Sequence, residues 1–213
     1  QVLEALAEEC NIALIVDEVF ADYAWCDDPE RVVSFAGTEI NMPTNLRREA
    51  PVLTFTLSGL SKVMGLPQMK LGWMVMQGPE ARRREAWQRL EIIADTYLSV
   101  SSYVQQILPQ LLPLQEVMQQ LIRSRVIENL HLVKKKVNVN TAATLLACTG
   151  GWYATLAMPM ADEERWALTV LRQSGVYIHP GYFFDFKQEG FFVLSLLTPQ
   201  QTLCCGLDKL LKV

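Results

Sequence analysis

Apolar residues recur at helical spacing from the first positions of the chain. Val2, Leu3, Leu6 and Ala7 share one face of segment 1–10, which predicts an amphipathic helix. A short apolar run at 13–16 ends in Asp17-Glu18; its length and the helix before it predict a buried parallel strand. Segment 25–50 is polar and rich in Asp, Asn, Gly and Pro, the texture of a long loop. Strands are predicted at 52–57 and 71–76, the first running into Ser58-Gly59-Leu60-Ser61-Lys62. From 80 to about 101 the period is helical, with Trp87, Leu90, Ile93, Ala94 and Tyr97 near one stripe. Pro109 and Pro113 punctuate 104–114 and predict two short helices there. A long helix follows over 115–137 and ends in Lys134-Lys135-Lys136, a solvated end that suits the helix dipole.

Beyond Asn140 the texture changes. Strands are expected at 152–158, 176–179 and 191–197, with helices at 163–174, closed by Gly175, and 203–211. That order describes a small α+β unit. The expected fold is therefore α/β: part of a large α/β/α domain with a mostly parallel sheet over 1–129, followed by a small α+β domain over 130–213. A chain that opens inside a helix is also expected to continue upstream of Gln1.

Composition narrows the classes. The 213 residues are half apolar and one-fifth charged, enough for a sizeable core. A net charge of −4 argues against nucleic acid or an anionic membrane as the main partner. The five cysteines form no C-x-x-C pair, and neither His131 nor His179 stands at metal-ligand spacing from a cysteine, so no zinc site is expected. No apolar run reaches the length of a membrane span.

Three charged residues stand out by position. Asp17 ends a predicted strand, Lys62 follows another, and Lys70 comes eight residues later, just before a third. Ligands of α/β sheets bind beyond the carboxyl ends of strands, so the three could converge on one crevice. Each suits one part of pyridoxal 5'-phosphate. A lysine amine forms a Schiff base with an aldehyde. A carboxylate keeps the pyridine nitrogen protonated. A cation with hydroxyls holds a phosphate dianion. Spacing alone leaves a plainer reading open: solvated surface lysines and an aspartate in a turn.

The wording of the segments adds to this. Ile15-Val16-Asp17-Glu18-Val19-Phe20 resembles the aspartate strand of the class I/II aminotransferases, fold-type-I enzymes that depend on pyridoxal phosphate. Ser58-Gly59-Leu60-Ser61-Lys62, Gly65-Leu66-Pro67 and Lys70-Leu71-Gly72-Trp73 resemble their lysine segment. The likeness continues, in order, through Gly150-Gly151-Trp152-Tyr153, His179-Pro180-Gly181 and Leu194-Ser195-Leu196. The resemblance implies that Lys62 binds the cofactor aldehyde and shuttles protons, and that Asp17 pairs with the pyridine nitrogen. It further implies that Ser58 and Ser61 lie near the phosphate and that Lys70 stands in for a phosphate-binding arginine. It implies an amino acid and a 2-oxo acid as substrates, a homodimer, and a cytoplasmic location.

The chain departs from the family pattern at several positions. Phe20 occupies the place of a tyrosine whose hydroxyl meets the cofactor ring oxygen. Lys70 is a point charge where the family has a bidentate fork. Gly59 stands where many members carry a serine that contacts phosphate. Val193 takes the place of the arginine that binds the substrate carboxylate, and neither Arg172 nor Lys187 is singled out by sequence as its replacement. Family segments that precede the aspartate strand have no counterpart before Gln1, so an incomplete site is expected. These departures keep two alternatives in view: another pyridoxal-phosphate reaction, such as a C–S lyase or decarboxylase, and a non-catalytic relative. The tryptophans at 73, 87, 152 and 166 are expected as core or interface anchors, the methionines at 64, 69, 74 and 76 as packing, His179 as a satisfied loop residue, and Cys204-Cys205 as buried thiols.

Overall fold

The computed structural model describes residues 2–25, 34–36, 50–139, 142–160 and 162–212. Most of the loop expected at 25–50 lies outside them. The chain divides into two compact units, Gln1–Asp22 with Asp27–Gln119, and Tyr23–Cys26 with Gln120–Val213. The division falls within the long helix that also holds position 130.

In the first unit, helix α1 (Val2–Glu9) leads into strand β1 (Leu14–Asp17). β1 pairs in parallel with β2 (Thr54–Gly59), and β2 pairs antiparallel with β3 (Gly72–Gln77), giving a three-stranded sheet in the order β1-β2-β3. The expectation that β1 is buried is corrected. Its residues alternate between half-buried and exposed, and Ile15 is 73% exposed, because among the described residues β1 is an edge strand with β2 as its neighbour. The same holds for α1, where Ala7 is buried but Val2, Leu3 and Leu6 are exposed.

One-turn helix α2 (Leu60–Val63) follows β2 directly, and a 3-10 turn (Pro67–Met69) precedes β3. Helix α3 (Glu80–Thr96) starts after Pro79 and carries the i,i+4 ion pairs Glu80–Arg84 and Glu85–Arg89. None of its residues is buried, and Trp87 is 63% exposed, so its apolar stripe is not covered within the described residues. Trp73 is likewise exposed, and Met74 is exposed where packing was expected.

Helix α4 (Ser102–Leu111) runs through Pro109 as one helix, where two were expected. Its apolar side (Val104, Leu108 and Leu111) packs on the buried cluster around α2, and that burial offsets the hydrogen bond the proline cannot make. Pro113 falls in the opening positions of a 3-10 turn (Leu112–Leu114), where its missing N–H costs little.

Helix α5 (Gln115–Asn138) buries Val126, Leu130, Val133 and Val137, one face at helical spacing. The second unit also holds a four-stranded antiparallel sheet, order β4-β5-β7-β6, formed by Thr144–Leu145, Tyr153–Ala157, Phe191–Ser195 and His179–Pro180 for β4, β5, β7 and β6. Helix α6 (Glu163–Ser174) is capped by Asp162, which accepts the Arg165 N–H at 2.9 Å, and closes at Gly175. Helix α7 (Gln200–Leu210) buries Leu203, Leu207 and Leu210. Cys204 and Cys205 sit beside that face, so Cys205 is exposed and Cys204 half-buried, which corrects the expectation of buried thiols. β6 is shorter than the run expected at 176–179, and the short β4 gave no periodic signal.

Two polar features hold this unit together. The side chain of Asn129 on α5 donates to the carbonyls of Leu196 and Thr198, at 2.7 and 2.8 Å, and so fixes the turn after β7. Glu163, 3% exposed at the start of α6, accepts the backbone N–H groups of Tyr182, Gly190 and Phe191 at 2.8, 3.1 and 3.1 Å. One carboxylate thereby closes the loop between β6 and β7.

Tyr23 is fully buried in the second unit, its ring edge-on to Trp152 at 5.1 Å. Its carbonyl accepts the Gly151 N–H at 2.9 Å. A Cβ at Gly150 would stand 3.0 Å from that same carbonyl oxygen, so the close approach requires the glycine. The Gly150-Gly151-Trp152 segment thus has a packing role.

Candidate active site

The first unit sets the lysine by apolar anchoring. Leu60, Val63 and Met64, spaced i, i+3, i+4, are buried with Leu71 in one cluster, with Leu66, Met69 and residues of α4 against it. Fixing that side of a single turn leaves Ser61 and Lys62 on its other side, both half-buried. The turn starts where the Leu60 N–H donates to the Leu71 carbonyl at 3.0 Å. There β2 and β3 come so close that a Cβ on Gly59 would lie 3.0 Å from both the Gly72 Cα and the Leu71 oxygen. Backbone atoms cannot yield as a flexible side chain does, so position 59 accommodates no serine without displacing β3.

Asp17 is the last residue of β1 and aligns with Leu57 of β2 in the parallel ladder. Lys62 follows β2 within the next turn, so carboxylate and amine stand at the carboxyl ends of neighbouring parallel strands. The Asp17 Oδ1 accepts the Val19 N–H at 3.1 Å, and the residue remains exposed. The Glu18 N–H donates to the Leu57 carbonyl at 3.0 Å, and the Ala21 N–H donates to the Glu18 carbonyl at 3.0 Å. Glu18 to Ala21 is therefore a tight turn fastened to β2, with Phe20 inside it. This turn brings Phe20 to Lys62, whose Nζ lies 5.8 Å from the centre of the ring.

Lys70 is exposed and adopts a left-handed backbone, φ 52° and ψ 40°, as it closes the 3-10 turn. The next residue is Leu71, bonded to the start of α2, so Lys70 enters the same junction. Ser58 is placed differently. Strand alternation puts Leu57 and Asp17 on one face of the sheet and Ser58 on the other.

Sequence reasoning passed over Glu18. Its carboxylate accepts the Ser34 hydroxyl at 2.5 Å and the Phe35 N–H at 2.6 Å, while the Gln77 amide donates to the Ala36 carbonyl at 3.3 Å. Segment 34–36 is thus tied to the strand that presents Asp17. Acidic pairs after strands are common, and this one carried no signal of a distant partner.

In the second unit, Val193 lies on β7, 5% exposed, between Thr155 of β5 and His179 of β6 in the register. Arg172 and Lys187 are exposed. The His179 ring packs edge-on to Tyr177 at 4.9 Å. Among the described residues no cluster of three His, Cys, Asp or Glu side chains could hold a metal ion, and no helix is long and apolar enough to cross a membrane.

An exposed carboxylate, an amine, the Ser61 hydroxyl beside it and a further cation are a donor set that could hold a ligand with a basic ring nitrogen, an aldehyde and a phosphate. The chain belongs to the class I and II aminotransferases, whose family model matches residues 1–204. No protein of curated function matches the sequence.

Among solved structures the chain is similar to an alanine aminotransferase from Pyrococcus furiosus (TM-score 0.81, 20% identity), covering 99% of this chain and 51% of that one. It is similar to a tyrosine aminotransferase from Leishmania infantum (TM-score 0.78, 16% identity; 99% and 50% covered). It is also similar to an aspartate aminotransferase from Thermotoga maritima (TM-score 0.74, 18% identity; 99% and 50% covered). At these identities the likeness is one of fold. The chain spans about half the length of these proteins.

Proposed function

We propose that this protein transfers an amino group between an amino acid and a 2-oxo acid, using pyridoxal 5'-phosphate held by Lys62. The observation that carries the reading is the placement of Lys62 on an apolar-anchored turn beside the strand end that presents Asp17, in a chain of this family. When bound, the cofactor supplies an electron sink for the charge left as the substrate's α-proton departs. Lys62 supplies the amine and, once free, moves a proton at its Nζ. Asp17 holds a proton on the ring nitrogen by its opposite charge. Ser61, Ser58 and Lys70 are assigned to the phosphate. The left-handed backbone at Lys70 supports its part, since strain of this kind is kept where a side chain must be presented. For Ser58 the opposite sheet face speaks against a role beside Asp17. A homodimer in the cytoplasm completes the reading, on family resemblance.

Activity is tested with a panel of amino acids and 2-oxo acids. Wild-type protein is expected to form a new 2-oxo acid only when an acceptor is added. Lys62→Ala is expected to lose on the order of 10²–10⁴-fold in rate from the missing acid–base group alone. Transfer that survives this substitution contradicts the reading.

The buried Val193 favours one second reading, a pyridoxal-phosphate lyase or decarboxylase. A valine between Thr155 and His179 offers a carboxylate no fork. Product formed without an acceptor supports it.

A further inference from the structure

The turn Glu18–Ala21 does more than end β1. It is fastened to β2 through the Glu18 N–H and closed by the Ala21 N–H, so the backbone at Phe20 has a fixed place relative to the strand that leads to Lys62. The Lys62 Nζ lies 5.8 Å from the centre of that ring, within the range of attraction between a cation and an aromatic face. Leu60, Val63 and Met64 fix the other side of the α2 turn. The lysine is therefore held from its base by apolar packing and at its tip by a ring.

We propose that Phe20 is a positioning residue for Lys62, its ring face receiving the ε-ammonium and holding it at the strand end where Asp17 stands. The role needs no hydroxyl at position 20. It deepens the assignment of Lys62 as the cofactor lysine and rests on that assignment for its purpose, while the contact itself is a property of the protein without cofactor. The ring's attraction holds the Lys62 tip against its face, and the amine must leave that contact to react. Losing the ring face should raise the rate of acylation at Lys62 by about two- to fivefold.

The experiment is trace acetylation of cofactor-free protein, with Lys62 resolved by mass spectrometry and the other lysines as internal standards. Phe20→Leu is expected to raise the Lys62 rate by that factor, and Phe20→Tyr, which keeps the ring, to leave it near wild type. A change in access alone could mimic the first result. Pentafluorophenylalanine at position 20 separates the two, because it keeps the size of the ring and reverses its quadrupole, and it is expected to behave like Phe20→Leu. Equal rates in wild type and the fluorinated protein would overturn the proposal. If Phe20→Leu does not fold, wild type against the fluorinated protein decides alone. Cofactor binding is read separately by visible absorbance. Shifted acetylation without cofactor binding leaves the contact standing and removes the enzymatic reading, whereas cofactor binding with unshifted acetylation does the reverse.

Discussion

The two units hold their key segments by opposite means. In the first, the turn that carries Lys62 is set by Leu60, Val63 and Met64 buried in an apolar cluster. In the second, the loop after His179-Pro180-Gly181 is set by one buried carboxylate, Glu163, which accepts three backbone N–H groups. Apolar anchoring is non-directional and proportional to area, so it orients a side chain by exclusion and leaves Lys62 wherever the buried face is not. A carboxylate accepting several donors is directional and fixes particular backbone atoms, but it is costly to leave incomplete. The first device suits a residue that must act; the second suits a loop that must stay put.

Unfolding by urea breaks the comparison most sharply. Leu60→Ala is expected to lose about 2–5 kcal/mol, as large-to-small changes in a packed core do. Glu163→Ala should cost about 3 kcal/mol, since it leaves three N–H groups without their acceptor. Glu163→Gln sharpens the point. Its amide oxygen can serve one side, but its NH₂ then faces a donor, so most of the loss should remain. Recovery of wild-type stability by the glutamine would show that shape, not acceptance, is what Glu163 supplies.

Gly59→Ala is a smaller test and concerns backbone alone. Its Cβ meets two backbone atoms at 3.0 Å, so a loss of about 1–3 kcal/mol is expected in the same assay. Lys70→Gly is expected to act in the other direction, gaining about 1 kcal/mol by relieving a left-handed lysine, and to weaken binding of pyridoxal phosphate measured by absorbance titration. Stability without loss of affinity would remove Lys70 from the phosphate site.

What could be read from sequence follows the same divide. The long helical run over 115–137 marked α5, and the bounds of α6 were legible because Gly175 closes it in a position that favours glycine. Periodicity also marked α3, although that helix carries local ion pairs while its apolar stripe stays uncovered among the described residues. It could not reveal Glu163 or Asn129, whose partners lie far along the chain, nor the burial of Tyr23 against Trp152. In the candidate site, the order Asp17, Lys62, Lys70 was visible as strand ends. The opposite face of Ser58, the tether at Glu18 and the ring of Phe20 beside Lys62 depend on register and on turns that residue types alone do not specify.

The most direct measurement is reduction of the protein with borohydride in the presence of pyridoxal 5'-phosphate, followed by peptide mapping. The expected result is one stable pyridoxyl group per chain, on Lys62, with the label lost in Lys62→Ala. A label on Lys70 or another lysine, or no label on folded protein, contradicts the assignment on which the account rests.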